Sequence, residues 1–104
     1  MQIKEWFYAM RTFYHGTTDV FKIGNVLLPP AITNIKREEW RKKYTDKVFF
    51  TDSLLSASMY AKKACKKYGG SPTIYIVKPI GQYFSTVNTE YIADKALIVS
   101  KFKK

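Results

Sequence analysis

The stretch Phe13-Tyr14-His15-Gly16-Thr17 decides how this chain is interpreted, together with Val48-Phe49-Phe50-Thr51-Asp52-Ser53 further along. His15 is the single histidine of the chain, and it lies among aromatic residues directly before a glycine. A glycine allows the backbone to approach a ligand closely, while the imidazole adds a polar group and the aromatic rings add flat apolar faces. The two segments predict a ligand site, although His15 could instead be a strand-end histidine whose ring is satisfied by the backbone.

The composition indicates one compact domain that spans residues 1–104. The chain is 46% apolar and 16% aromatic, unlike a disordered sequence, and 104 residues hold one core but not two. Its one cysteine, Cys65, excludes an internal disulfide and, with one histidine, a zinc site of Cys/His type. We expect Cys65 to be a small core residue.

The charge of the chain favours polyanionic partners. Eighteen Lys and Arg against eight Asp and Glu give a net charge of +10. This charge suits binding to nucleic acid, nucleotides or an acidic protein surface. Alternatively, the lysines could serve only to keep the protein in solution. The basic segments 36–47, 62–67 and 101–104 carry no motif that reads nucleic-acid bases. Any binding of RNA or DNA would therefore be independent of the nucleotide sequence. We expect no membrane span and no signal peptide, and therefore a cytoplasmic location.

Periodicity and turn residues predict a mixed α/β or α+β sheet with few helices. Residues 20–28 are expected to be a short strand or an irregular loop, and 36–44 a short helix. The longer helix should bury a face that contains Leu54, Ser58, Ala61, Cys65 and Tyr68. This helix should run from Leu54 to Tyr68, between a cap at Asp52 or Ser53 and a stop at Gly69-Gly70. The predicted strand Thr73–Val77 is closed by Pro79 and Gly81. The other predicted elements are an extended segment 6–14, a turn at 15–19, a strand Val48–Thr51 and a strand Ala96–Phe102.

Several blocks of the chain, taken in order, resemble the rifamycin ADP-ribosyltransferases. Tyr14–Thr17 followed by Lys22–Pro29 looks like the opening of these enzymes, and Val48–Thr51 with its helix is similar to their second motif. Ile74–Gly81 and Ala96–Val99 are similar to their next and last strands. More distantly, the same blocks resemble the catalytic domain of the poly(ADP-ribose) polymerases, where two tyrosines stand eleven residues apart in the second motif.

The resemblance implies an α+β fold with a split mixed β-sheet, few helices, and a cleft that binds NAD as a substrate. It implies that His15 hydrogen-bonds a ribose hydroxyl and that Gly16 and Thr17 clamp the dinucleotide. Phe49 and Tyr60 have the spacing of the two polymerase tyrosines and would stack on nicotinamide. A carboxylate would stabilise the positive charge that develops on the ribose as nicotinamide leaves.

Three of these residues have open alternatives. Phe49 stands where the family usually has tyrosine, so its ring is kept but a hydroxyl is lost, and it could simply belong to a core strand. Tyr60 could face the cleft or cover the core. Glu90, which begins a Glu-Tyr-Ile sequence like that of the polymerases, is the expected acid, and Asp94 is the other candidate.

The sequence thus predicts an NAD-dependent ADP-ribosyltransferase that releases nicotinamide, of bacterial or phage type. The acceptor is open among a small molecule such as an antibiotic, a protein and a nucleic acid. One alternative is a non-catalytic module of the same fold that binds NAD, ADP-ribose or a related nucleotide as a sensor or inhibitor. The other is a small basic nucleic-acid-binding protein.

Overall fold

The computed structural model describes residues 11–29, 46–86 and 89–102. The helix predicted over 36–44 and the extended segment 6–10 lie outside the described residues. The predicted strand Val48–Thr51 and helix Leu54–Tyr68 are confirmed with the same bounds. The elements of the described part are β1 (Phe13–Thr18), β2 (Val26–Leu27), β3 (Val48–Thr51), α1 (Leu54–Tyr68), β4 (Pro72–Ser85) and β5 (Glu90–Lys101).

The five strands form one sheet that closes on itself. β1 pairs with both β3 and β4, β5 pairs with β3 and β4, and β2 lies against the second half of β5. All of these pairings are antiparallel, whereas the resemblance implied a mixed sheet. β3 and β4, which α1 connects, run in the same direction and could form a parallel pair. However, β1 lies between them and pairs antiparallel with both.

Aromatic rings fill the interior of the closed sheet. Phe13 meets Phe50, Tyr83 and Tyr91 edge-on, with ring centroids 5.0–5.3 Å apart. Phe50 and Tyr91 are cross-strand neighbours, and their rings stack at 5.9 Å. Small and β-branched residues such as Ala93 and Val77 complete the buried cluster, so the inward faces of the strands form a packed core.

The helix α1 begins and ends where capping chemistry predicts. The Ser53 side chain accepts a hydrogen bond from the Ser56 amide at the N-terminus, and Gly69 at φ 85° ends the helix. Its buried residues are Ala57 and Ala61, whereas Cys65, expected in the core, is half-buried and Tyr68 is 36% exposed. In the described part of the chain, no helix has the length and apolar character that a membrane crossing requires.

Three predicted boundaries are wrong. Residues 15–18, expected in a turn, continue β1 and pair with β4. Pro79 and Gly81 do not close β4, which continues to Ser85 through a bulge between Ile80 and Tyr83. The last strand starts at Glu90 and not at Ala96. In the first two cases pairing with a neighbouring strand outweighs the local turn preference of glycine or proline, and in the third the residues before Ala96 pair with β3 and β4.

Candidate functional site

One cleft contains five of the six residues that the sequence nominates. His15, Gly16, Phe49, Tyr60 and Glu90 all line it, although they come from β1, β3, α1 and β5. The sixth, Thr17, is buried at 5% exposure and is not among the lining residues. Within residues 11–29, 46–86 and 89–102, the lining consists of Tyr14, His15, Gly16, Phe49, Phe50, Thr51, Tyr60 and Glu90.

The cleft lies where β1 and β3 separate. The two strands pair only at Tyr14 and Thr51. Beyond this pair, β3 is bonded by the side chain of His15. His15 Nδ1 lies 2.8 Å from the backbone oxygen of Phe49. A carbonyl oxygen can only accept, so Nδ1 carries the proton, and Nε2 of the neutral ring is a hydrogen-bond acceptor.

The paired phenylalanines of β3 both line the cleft, but only Phe50 also belongs to the main core cluster. Successive side chains of a strand point to opposite faces, and Phe50 belongs to the aromatic core cluster. Phe49 is also buried, at 4% exposure, but lies outside that cluster and lines the cleft. Both phenylalanines are therefore buried, and Phe49 lines the cleft without belonging to the aromatic core cluster.

Gly16 is required by the packing of the helix on β1. A Cβ atom built on Gly16 would overlap the carbonyl oxygen of Ala57 and press against the amide of Ala61. The resemblance attributed this glycine to close approach by a ligand. The structure adds a second reason: only hydrogen at this position allows α1 to lie this close to β1.

Tyr60 brings a half-buried phenol ring from α1 to the cleft. Its position follows from the helix, since Ala57 and Ala61 face the sheet and Tyr60 lies on the flank beside them. The ammonium of Lys63, one turn further on, is 5.8 Å from the centroid of the Tyr60 ring. Of the two alternatives for Tyr60, the structure places its ring at the cleft.

Glu90 supplies the carboxylate of the cleft. It is the first residue of β5, pairs with Thr51, and is 4% exposed. Thr86 fixes it from the other side, because its amide donates to the Glu90 backbone oxygen at 2.9 Å and its hydroxyl lies 3.5 Å from Oε2. A carboxylate this deeply buried can exert a strong electrostatic influence on a charge that develops nearby.

Asp94, the alternative acid, has a different setting. Its side chain is 76% exposed, it forms an ion pair with Lys47 at 2.6 Å, and it does not line the cleft. The hydrogen bond from Lys47 lowers the pKa of the Asp94 carboxyl. Asp94 thus belongs to a surface ion pair, and Glu90 is the acid that the geometry favours.

Hydroxyl groups surround the Glu90 end of the cleft, and sequence reasoning missed them. Thr89 Oγ1 lies 3.3 Å from the hydroxyls of both Thr51 and Ser56. Thr89 directly precedes β5, Thr51 is the last residue of β3, and Ser56 lies in the first turn of α1. No spacing in the sequence indicates that these three residues meet. They connect the start of the helix to the strand that carries the acid.

A second polar network lies on the far side of β5 from Glu90. Arg11 donates to the Tyr91 hydroxyl at 2.9 Å, and that hydroxyl donates to Asp52 Oδ2 at 3.1 Å. Burial, and next the hydrogen bond to Asp52, raise the pKa of Tyr91. Because Tyr91 adjoins Glu90 in sequence, this network holds the beginning of β5 in a fixed orientation.

The cleft is narrow in this conformation. Its free volume is about 20 Å³, which is about the space of one water molecule. Sites for small organic ligands usually measure ~300–1,000 Å³. A ligand of that size could enter only if the cleft widened.

Comparison with known proteins agrees with the order of these residues along the chain. The family model of the rifampin ADP-ribosyl transferases matches residues 13–96. The matched span begins with β1 and includes all the described residues that line the cleft. Among curated proteins, none matches the chain.

Proposed function

We propose that this chain, which belongs to the family of rifampin ADP-ribosyl transferases, transfers ADP-ribose from NAD to an acceptor and releases nicotinamide. The family implies the ADP-ribosyl transfer, and the donor and the residue roles are our proposal. The observation that carries the proposal is the meeting of an imidazole, two aromatic rings and a buried carboxylate in one cleft, formed by His15, Phe49, Tyr60 and Glu90.

In the proposed reaction, the bond between the nicotinamide nitrogen and C1′ of its ribose breaks. The bonding electrons go to the nitrogen, which leaves as neutral nicotinamide, and the ribose becomes oxocarbenium-like. The carboxylate of Glu90 stabilises this positive charge, because burial lowers the dielectric screening between them. An acceptor nucleophile then forms the new bond to C1′ and loses its proton to Glu90 or to water.

His15 has the hydrogen-bonding state that a ribose hydroxyl requires. Its Nδ1–H donates to the Phe49 carbonyl, so in the neutral ring Nε2 would be the atom that accepts from a ribose hydroxyl. The Phe49 carbonyl also fixes the ring orientation, which favours a preorganised contact. The rings of Phe49 and Tyr60 would then hold the nicotinamide by stacking.

Entry of NAD would require Tyr60 to move. Phe49 and Glu90 lie in strands and are almost fully buried, whereas Tyr60 is half-buried on the flank of a helix. A rotation of its side chain enlarges the cleft without breaking the β-ladder. Such side-chain changes are common when ligands bind.

The test is incubation with NAD labelled separately in the nicotinamide and the adenosine parts. Wild type should release free nicotinamide, and Glu90→Gln should reduce this release by at least about 100-fold, since one preorganised electrostatic group commonly contributes that much. His15→Ala should weaken NAD binding instead. Absence of nicotinamide release with water and with each acceptor class would contradict catalysis.

The narrow cleft and the phenylalanine at position 49 also favour a second candidate, a non-catalytic binder of NAD or ADP-ribose. In the family this position usually holds tyrosine, and its hydroxyl is missing here. Saturable binding of ADP-ribose by wild type, without release of nicotinamide from NAD, would identify this second function. The same labelled-NAD assay, combined with calorimetry, separates the two candidates.

A further inference from the structure

We infer that Lys63, assisted by Lys67, forms a subsite for the phosphate groups of the dinucleotide at the end of the cleft away from Glu90. This inference rests on the proposed function, because it assigns a place to the pyrophosphate of NAD. The subsite lies on α1, outside the residues that line the cleft itself.

Four residues align along one flank of α1. Ser56, Tyr60, Lys63 and Lys67 follow one another at intervals of four, three and four residues, which places them on the same side of a helix. Ser56 marks the acid end of this flank, since its hydroxyl is 3.3 Å from Thr89 Oγ1.

Tyr60 stands at the centre of this flank and the lysines stand beyond it. A rise of about 1.5 Å per residue places Lys63 about 4.5 Å and Lys67 about 10 Å further along the helix axis than Tyr60. The ammonium of Lys63 already lies 5.8 Å from the Tyr60 ring, and that of Lys67 lies 5.3 Å from the Tyr68 ring. Both are exposed, so either can turn toward a ligand that stacks on Tyr60.

The pyrophosphate of the proposed ligand carries negative charge that a cation must balance. Among the described residues, those that line the cleft include one carboxylate, Glu90, and neither lysine nor arginine. The two negative charges of a pyrophosphate would be repelled by Glu90 and would gain no cation from the lining. The first cation beyond Tyr60 on this flank, in the direction away from Glu90, is Lys63.

The aspartates in the described ranges are engaged by groups other than the lysines of α1. Asp46 and Asp94 contact Lys47, Asp52 accepts from Tyr91, and Asp19 accepts from the Ser71 amide. Within the described ranges, no ion pair involves a lysine of α1. The positive charge of this helix is therefore available to an anionic ligand.

The helix provides its own control. Lys62 and Lys66 are equally exposed on α1 but lie on the opposite flank from Tyr60. The double variants Lys63→Gln/Lys67→Gln and Lys62→Gln/Lys66→Gln each remove two charges. Each also removes one of the two lysines in the last turn, so any effect on the helix dipole is matched.

The experiment measures the dissociation constants of NAD and of nicotinamide for wild type and both double variants. We expect Lys63→Gln/Lys67→Gln to weaken NAD binding about tenfold, as two exposed charge contacts would. Its affinity for nicotinamide, which has no phosphate, should be unchanged, and the Lys62→Gln/Lys66→Gln variant should bind NAD within about twofold of wild type.

Three outcomes would overturn the subsite. If wild type binds NAD but both variants lose affinity equally, the lysines act only through general attraction of anions. If neither variant loses affinity, the phosphates lie elsewhere, and the proposed function still stands. If wild type itself does not bind NAD, the proposed function fails, and the subsite fails with it.

Discussion

Replacement of Gly16 by alanine should destabilise the fold, because the added methyl group has no room. A Cβ atom at this position would overlap the carbonyl oxygen of Ala57, which is backbone and cannot rotate away as a side chain could. Relief requires α1 to move away from β1. That movement would also disturb the cleft, since Tyr60 lies on this helix.

The size of the effect follows from the kind of overlap. Insertion of one methyl group into a packed contact costs about 1–3 kcal/mol, and a backbone neighbour points to the upper part of that range. Gly16 is not among the glycines with positive φ, so alanine adds no dihedral strain and slightly restricts the unfolded chain. We expect a net loss of about 2 kcal/mol in the free energy of unfolding, or about 10 °C in Tm for a domain of this size.

Thermal and urea denaturation of purified Gly16→Ala would measure this loss, with Gly24→Ala as the control. A Cβ atom on Gly24 would meet nothing within 4 Å, so this variant should unfold within about 0.5 kcal/mol of wild type. Equal stability of Gly16→Ala and wild type would refute the close packing of α1 on β1.

Three further results are expected. Glu90→Gln should leave the dissociation constant of NAD within about threefold of wild type while nicotinamide release falls, so that a parallel loss of binding would argue against a purely electrostatic role. Tyr60→Phe should retain the NAD affinity of wild type, whereas Tyr60→Ala should lower that affinity about tenfold, because the ring and not the hydroxyl stacks. Equal losses of NAD affinity for the two variants in calorimetry would contradict this. The pKa of Tyr91 is raised above 10.0 by burial and by the bond to Asp52, so the unfolded chain ionises first and stability should fall as the pH rises past about 10. Tyr91→Phe should flatten that fall in denaturation series, and an unchanged slope would count against the network.

Local chemistry predicted α1 and β3 well. The Ser53 cap and Gly69 stop act through adjacent backbone groups, and β3 is a short apolar run that is buried along its whole length. Such signals lie within a few residues of the element they define, and the sequence alone reveals them. The same holds for the ordered blocks that indicated the family.

Non-local pairing decided the elements that were predicted wrongly. His15–Thr18 looks like a turn because of its glycine and polar residues, yet β4 pairs with all of it. Gly81, at φ 81°, lies in the bulge that lets β4 continue past Pro79. A partner strand far away in the sequence gives no local signal, so these extensions could not be foreseen.

The candidate site could be predicted in its members but not in its dimensions. Spacing and resemblance nominated His15, Phe49, Tyr60 and Glu90, which all line the cleft. The hydroxyls around Thr89 and the fit of Gly16 against α1 depend on how elements pack. The narrow volume depends on the same packing, and no residue pattern encodes it.

The most direct test of the account is a titration of isotopically labelled protein with NAD up to millimolar concentration, followed by amide NMR signals. We expect saturable shifts at Gly16, Phe49 and Glu90, while the signals of Lys78 and Lys95, which are exposed on the sheet, stay in place. Absence of any saturable shift, or shifts confined to that outer surface, would contradict a nucleotide site between β1, β3 and α1.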